Sequence, residues 1–166
     1  AAELHPLDLN ALVTDVLQLY GSENATVPVA VELDPRCPPV AGDAQQLRQV
    51  VHNLLQNAQD ATEEAARKGQ VPAEPVHIST HWSESSRRVR LTVSDRGSGF
   101  APNILQRALE PYVTTKSGGT GLGLAVVKKI ADEHGARVDL VNRMENGMVR
   151  GAQVSLSFAP ERAVAL

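Results

Sequence analysis

The sequence predicts an α+β fold, a two-layer α/β sandwich in which helices cover one face of a mixed sheet. Apolar residues recur at helical spacing in several segments and at period two in others. Along the chain the predicted order is helix, strand, long helix, hairpin, loop, helix and hairpin. That order of elements is typical of a sheet with helices packed on one side.

Local patterns predict each element in turn. The first helix covers residues 9–19, and the long helix runs from Asp43, a good N-cap, to Gly69. A short helix follows a glycine-rich turn near residue 97, and a last helix runs from about Thr120 to His134. The predicted strands are 27–33, 76–84, 87–95, 135–143 and 151–159, and residues 35–42 form a loop or a short extended piece.

Composition indicates an ordinary globular domain. The 166 residues suit one domain, expected over 1–160, with 1–7 as a connector from an upstream domain and 159–166 as a tail. Apolar residues make up 42% and aromatic residues only 3%, so we expect an aliphatic core. A net charge of −3 gives no electrostatic reason to expect nucleic acid or an anionic membrane as a partner.

Cysteine content and apolar runs bear on localisation. The single Cys37 can form no internal disulfide and has no companions with metal-ligand spacing. The sequence shows neither a signal peptide nor an apolar run of membrane-spanning length. We therefore expect a cytoplasmic domain without membrane contact of its own. Because the chain starts without Met, we also expect a fragment of a longer protein, which could be membrane-anchored.

Two asparagines lie one turn apart on the long predicted helix. Asn53 and Asn57 project from the same edge of its apolar stripe. Asn is a poor residue inside a helix, so two on one line need an explanation. They are either partly exposed polar residues or amide ligands of a hard cation such as Mg²⁺, with substrate phosphates completing the ligand set. Spacing alone leaves both interpretations open.

A predicted strand ends at Asp95, and Gly97 and Gly99 follow it. Taken alone, this pattern favours a strand-ending turn, since Asp and Gly are standard turn residues. In the functional alternative, a buried carboxylate accepts a hydrogen bond from an exocyclic amine. Such a site would select adenine over guanine, which presents a carbonyl at that position.

The stretch "TTKSGGTGLGLAVVKKI", residues 114–130, places four glycines directly before an apolar helix. Their entropy cost needs a reason: the glycines either only start the helix, or let the backbone lie against a ligand, with an anion at the helix N-terminus as the expected one. The stretch lacks the Gly-Lys-Ser/Thr of a Walker A loop and the third glycine of a dinucleotide fingerprint. Thr115 and Lys116 nevertheless supply donors and a positive charge that suit phosphate oxygens.

Three stretches in fixed order resemble a known superfamily. "QLRQVVHNLLQNAQDA", "DRGSGF" and "EPYVTTKSGGTGLGLAVV" resemble the N, G1, F and G2 boxes of the GHKL (Bergerat-fold) ATP-binding proteins. Within that superfamily the chain resembles the catalytic domain of bacterial two-component sensor histidine kinases, most of all the nitrogen-regulation class. The resemblance covers nearly the whole chain, and several boxes in order are far more specific than any one.

The resemblance implies ATP and Mg²⁺ as cofactors and a role for each matched residue. Asn57 would ligate the metal, while Asn53 and Lys116 would serve catalysis. Asp95 would hold the adenine amine, and residues 110–119 would form a mobile lid. The residues that the resemblance implies for cofactor binding are Asn53, Asn57, Asp95, Gly97, Gly99, Thr115, Lys116, Gly119, Thr120, Gly121, Leu122 and Gly123.

Two positions depart from the family pattern. Asp60 stands where many members carry Lys or Arg, which puts one phosphate contact in doubt. Leu109 replaces the aromatic residue that usually opens the F box, a modest loss of packing.

The resemblance also implies partners. The γ-phosphoryl would pass to a His on an upstream dimerisation and acceptor domain, with a response regulator downstream and a homodimeric full-length protein. None of the five histidines of this chain lies in the acceptor context, so we expect the acceptor upstream of residue 1 and packing or surface roles here.

Two other functions remain open. One is a GHKL ATPase in which nucleotide closes a conformational clamp, and the other is a nucleotide-binding regulatory module without catalysis. Clamp ATPases need a water-activating acid where this chain has Asn53. A module without catalysis would be expected to lose the metal-ligating Asn or the glycines, and both are intact.

Overall fold

The computed structural model of the chain describes residues 2–20, 27–69, 74–100, 105 and 123–160. The helices are α1 (Leu9–Leu17), α2 (Ala44–Arg67) and α3 (Gly123–Glu133), and a 3₁₀ turn, Gln18–Tyr20, follows α1. The strands are β1 (His5–Leu7), β2 (Val29–Glu32), β3 (Val40–Gly42), β4 (Val76–Ser83), β5 (Arg88–Ser94), β6 (Arg137–Glu145) and β7 (Met148–Phe158).

The main sheet is mixed, as the sequence predicts. Its strand order is β2-β4-β5-β7-β6, with β2 parallel to β4 and every other pair antiparallel. The hairpins β4–β5 and β6–β7 turn at residues with positive φ, Arg87 in the first and Asn146 and Gly147 in the second. The predicted α+β class is therefore confirmed.

One face of this sheet packs against the helices. Alternate residues of β4 and β5 are buried, so each strand contributes one apolar side to the core. The core is largely aliphatic, as composition predicts, and draws on both layers. Its members include Leu12, Val13, Leu47, Val50, Leu54, Val127, Ile130, Ile78, Leu91 and Leu156.

Helix α2 begins and ends where the sequence predicts. The Asp43 carboxylate accepts a hydrogen bond from the backbone N–H of Gln46 at 3.2 Å, which caps the helix. At the other end Lys68 caps the helix and Gly69 turns away at a φ of 70°. Helix α3 ends at Glu133, one residue before the predicted His134. The predicted start at Thr120 lies outside the described residues.

A histidine joins the start of α2 to the end of α3. His134 Nε2 accepts a hydrogen bond from the Asp43 backbone N–H at 3.0 Å. Its Nδ1 therefore carries the proton and lies 2.8 Å from the Ile130 carbonyl oxygen. His134 thus has the packing role that the sequence predicts for it.

The first residues of the chain form part of a second, two-stranded sheet. Strand β1 pairs antiparallel with β3, and Glu3 N–H donates to the Asp43 carboxylate at 3.1 Å. Pro160, in the predicted tail, forms a bridge with Val40 of β3. The predicted connector, residues 1–7, therefore includes a strand. None of the described helices has the length and apolar character needed to cross a membrane.

Candidate functional site

The two asparagines lie on one edge of α2. Asn53 and Asn57 are both half-buried, beside the buried stripe that faces the core. Ala61 continues the same line one turn later. Because the helix rises about 1.5 Å per residue, successive members of this line are separated by about 6 Å along the axis. The edge therefore presents two amides in a row, partly open to solvent.

Asp95 directly follows β5 and is held rigidly. It is only 7% exposed, and its Oδ1 accepts hydrogen bonds from the backbone N–H groups of Gly97 at 2.8 Å and Ala152 at 2.9 Å. Its own N–H donates to the Ala152 carbonyl at 2.9 Å, which extends the pairing of β5 with β7 by one residue. The carboxylate is thus fixed in direction by backbone groups on both sides of it.

A glycine in β7 makes room for Asp95. Gly151 has a φ of 146°, and a Cβ on it would lie 2.0 Å from the Asp95 carbonyl oxygen. Arg143 of β6 donates through Nη1 to the same carbonyl at 2.9 Å. Sequence reasoning missed both residues. The sequence predicts a strand that begins at Gly151, whereas the structure places this glycine inside β7, where a glycine often marks a close backbone approach.

The turn after Asp95 lies against α2. A Cβ on Gly97 would lie 2.8 Å from the Ala61 Cβ and 2.9 Å from the Ala61 carbonyl oxygen. The Arg96 N–H donates to the hydroxyl of buried Thr62 at 3.0 Å. Since Ala61 is one turn beyond Asn57, the structure brings the Asp95 turn and the asparagine edge to the same side of α2. Among the described residues, Gly97 allows the backbone of the turn to come close to α2.

The next residues of the turn are held by β6. Gly99 has a φ of 75°, and a Cβ on it would lie 2.8 Å from Asn142 Oδ1. Asn142 accepts a hydrogen bond from the Phe100 N–H at 2.7 Å and donates one to the Phe100 carbonyl at 2.6 Å. One side chain therefore satisfies both backbone groups of Phe100. Sequence reasoning missed Asn142 because nothing local marks it.

Ion pairs anchor the turn at its outer side. Arg96 Nε lies 2.9 Å from a carboxylate oxygen of Glu74, and Arg96 Nη1 lies 3.3 Å from one of Glu145. Arg96 joins the residues before β4 to the end of β6. Backbone hydrogen bonds, close glycine contacts and ion pairs therefore all position the segment 95–100.

The glycine loop falls mostly outside the described residues. Thr115, Lys116 and residues 119–122 lie there, so their predicted roles remain predictions. Gly123 is described as the first residue of α3, and α3 packs against α2. The helix that follows the glycine loop therefore lies beside the helix that carries Asn53 and Asn57.

Comparison with known proteins agrees with this geometry. Residues 42–162, more than half of the chain, match the family model "Histidine kinase-, DNA gyrase B-, and HSP90-like ATPase". The chain is 41% identical over 64% of its length to a putative sensor histidine kinase NtrY-like of Rickettsia bellii. It is 34% identical over 87% of its length to the sensor histidine kinase ZraS of Escherichia coli K12. The chain spans 16% and 29% of these two relatives.

Solved structures share the fold. The catalytic domain of histidine kinase ThkA, in a nucleotide-free form, superposes with a TM-score of 0.75 at 28% identity, covering 95% of both chains. Full-length ShkA in complex with AMPPNP gives a TM-score of 0.77 at 28% identity, covering 98% of this chain and 33% of that one. The chain therefore belongs to the family of histidine kinase-, DNA gyrase B- and HSP90-like ATPases, with the sequence and fold of a sensor histidine kinase catalytic domain.

Proposed function

We propose that this domain binds Mg-ATP and donates the γ-phosphoryl group to a histidine on a separate helical domain of a longer protein. The observation that carries the proposal is the Asp95 carboxylate, buried and fixed by two backbone N–H groups beside the asparagine edge of α2. A response regulator would then receive the phosphoryl group, and the longer protein would act as a homodimer. The relatives named sensor histidine kinases support this assignment.

The adenine end of the site is assigned to Asp95. A carboxylate with a fixed direction is an acceptor for the exocyclic amine of adenine, whereas guanine presents a carbonyl there. Since an unpaired buried acceptor is costly, such a site rejects the wrong base strongly. The turn 95–100, in which Gly97 lies against α2 and Gly99 against Asn142, would form one wall of the base pocket.

The phosphate end is assigned to the asparagine edge and the glycine loop. Among the described residues no group of three or more His, Cys, Asp or Glu could hold a metal ion. The amide oxygen of Asn57 is a ligand type that Mg²⁺ accepts when substrate phosphates and waters supply the others. The residues therefore fit a metal that arrives with the nucleotide. When bound, Mg²⁺ would neutralise phosphate charge.

The remaining contacts to the phosphates are proposed from the sequence alone. Asn53 would support the phosphate and metal geometry, Lys116 and Thr115 would contact phosphate oxygens, and Gly119–Gly123 would present backbone N–H groups to them. Residues 110–119 would close over the nucleotide as a lid. Such a site would promote phosphoryl transfer mainly by positioning the reactants and by neutralising phosphate charge.

Asn53 distinguishes transfer from hydrolysis. A hydrolase orients or deprotonates a water, which calls for a carboxylate close to the γ-phosphate. The neutral amide of Asn53 accepts no proton at physiological pH. Because general-base help contributes about 10²–10⁴-fold, we expect ATP turnover by the wild-type chain to be slow by that order.

Steady-state phosphate release with Mg-ATP measures this turnover. Asn53→Glu tests whether a carboxylate at that position restores hydrolysis, and it is not expected to improve transfer to histidine. Rapid ATP hydrolysis by the wild-type chain, lost in Asn53→Ala, would instead favour the clamp ATPase.

Asn142 belongs to none of the matched sequence motifs, but it holds the turn that would line the base pocket, so its substitution tests that pocket. Asn142→Ala removes both hydrogen bonds to Phe100, so we expect the 95–100 turn to loosen and the ATP affinity to fall by about tenfold. Asn142→Asp keeps the oxygen that accepts from the Phe100 N–H but places its second oxygen against the Phe100 carbonyl oxygen, so it should weaken binding as well. Calorimetric titration with ATP measures both variants, and equal affinity of all three proteins would remove Asn142 from the account.

A further inference from the structure

The face of the main sheet away from the helices carries a row of polar side chains. His81 pairs with Arg90, Arg90 with Ser157, and Ser157 with Arg137 across the strands β4, β5, β7 and β6. Because neighbouring strands are about 4.8 Å apart, this row is about 14 Å long. His81, Arg90 and Arg137 are exposed, whereas Ser157 is buried beneath its neighbours.

A third arginine completes the group. Arg88 lies two residues before Arg90, on the same face of β5, and is half-buried. Its Nε donates to the Ser157 hydroxyl and its Nη2 donates to the Ser157 carbonyl. Arg88, Arg90 and Arg137, the arginine cluster, thus neighbour one buried serine: Arg90 and Arg137 lie opposite it on the two adjacent strands, and Arg88 donates to it.

The described part of the chain supplies no counter-charge to the arginine cluster. Among the described residues, no carboxylate lies within 4 Å of any of the three guanidinium groups. Asp34, near His81, is already bound by Arg36. Asp139 shares the face but lies opposite Ser155, in the next row.

Arg88 and Arg137, two members of the cluster, repel each other in the free domain. Burial, followed by the nearby charge of Arg137, lowers the pKa of Arg88 from its usual value. Arg88 stays charged at neutral pH, so the repulsion persists. The chain as a whole carries −3, which makes this positive region a local feature. A bound anion would relieve the repulsion.

We propose that the arginine cluster docks an acidic segment of a partner protein, with carboxylates on Arg90 and Arg137. The planar fork of a guanidinium matches a carboxylate through two parallel hydrogen bonds. Arg90 and Arg137 are two strand spacings apart, about 10 Å, which is close to two turns of an α-helix. Acidic residues seven positions apart on a helix would therefore reach both.

The same face disfavours nucleic acid. A polyanion responds to the charge of the whole domain, which is −3, and to aromatic stacking surfaces. The described residues of this face offer no Phe, Tyr or Trp ring, since Trp82 of β4 is buried toward the helices. The arginine cluster lies in the sheet layer and does not depend on nucleotide. If the docking proposal is wrong, the proposed kinase function is therefore unaffected.

Nuclear magnetic resonance tests the proposal directly. The isotope-labelled domain is titrated with a synthetic helical peptide that carries Glu at two positions seven apart, and with the same peptide carrying Gln there. We expect only the Glu peptide to shift amide signals, chiefly at 88–90, 137 and 157, and to bind more weakly as salt is raised.

Charge reversal supplies the matched variants. Arg90→Glu with Arg137→Glu should weaken peptide binding by about tenfold or more, since each attraction becomes a repulsion. Two further variants are compared, of which the first is the control. Arg48→Glu with Lys129→Glu makes the same change of charge on exposed residues of the helix layer and should bind normally. Arg90→Gln with Arg137→Gln should also bind the peptide weakly. This neutral variant replaces the charge-reversed one in the test if the charge-reversed domain is unstable. Absent shifts in this region, equal weakening by the helix-layer control, or tighter binding of inorganic polyphosphate than of the peptide would overturn the proposal.

Discussion

Asp95→Asn is expected to lower the affinity for ATP by about a hundredfold or more while the fold stays intact. Asn keeps one oxygen, which can still accept from the N–H groups of Gly97 and Ala152. Its amide nitrogen would place a donor against the adenine amine, and the negative charge is lost. Calorimetric titration with ATP measures the affinity, and thermal melting shows whether the domain is folded.

Asp95→Ala separates the two roles of the side chain, which are to bind the adenine amine and to accept hydrogen bonds from two backbone N–H groups. It leaves both buried N–H groups without their acceptor, which should cost about 1–3 kcal/mol each in stability. Only the Asn variant is therefore expected to lose binding without losing stability. If Asp95→Asn binds ATP as tightly as the wild type, the adenine assignment is wrong.

Gly151→Ala is expected to lower the free energy of unfolding by about 3 kcal/mol or more. The new Cβ would lie 2.0 Å from the Asp95 carbonyl oxygen, and the φ of 146° disfavours any side chain. Either β7 or Asp95 must move, so ATP binding should weaken as well. Urea unfolding measures the stability.

Gly147→Ala is the matched control. Gly147 also has a positive φ, 78°, in the β6–β7 turn, but a Cβ there would meet nothing within 4 Å. Its cost should be limited to backbone strain, about 1 kcal/mol. Equal losses in the two variants would show that the approach of Asp95 to β7 does not matter.

The sequence predicts those parts of the fold that are set by local patterns. The N-cap at Asp43, the stop at Gly69 and the alternation along β4 and β5 each depend on residues close in the chain. The small β1–β3 sheet was not predicted. Its strands have three residues each, too few for a period, and they pair across more than thirty positions, His5 with Gly42.

The candidate site likewise contains residues that the sequence predicts and residues that it does not. Asp95 and the asparagines belong to short motifs, so a linear reading finds them. Asn142, Arg143 and Gly151 reach the site only through the register of β6 and β7, and Asp95 and Ala152 are 57 positions apart. In sequence these residues resemble the polar face of any strand, because their partners are set by the tertiary pairing.

Phosphoryl transfer to histidine is the most direct test of the proposed function. The domain is mixed with γ-labelled Mg-ATP and a helical hairpin that carries the acceptor histidine, from the longer protein or from a relative. We predict label on the hairpin that is labile in acid and stable in alkali, and that is lost when Asp95→Asn is introduced or the acceptor histidine is replaced. Release of labelled inorganic phosphate with an unlabelled hairpin would contradict the account.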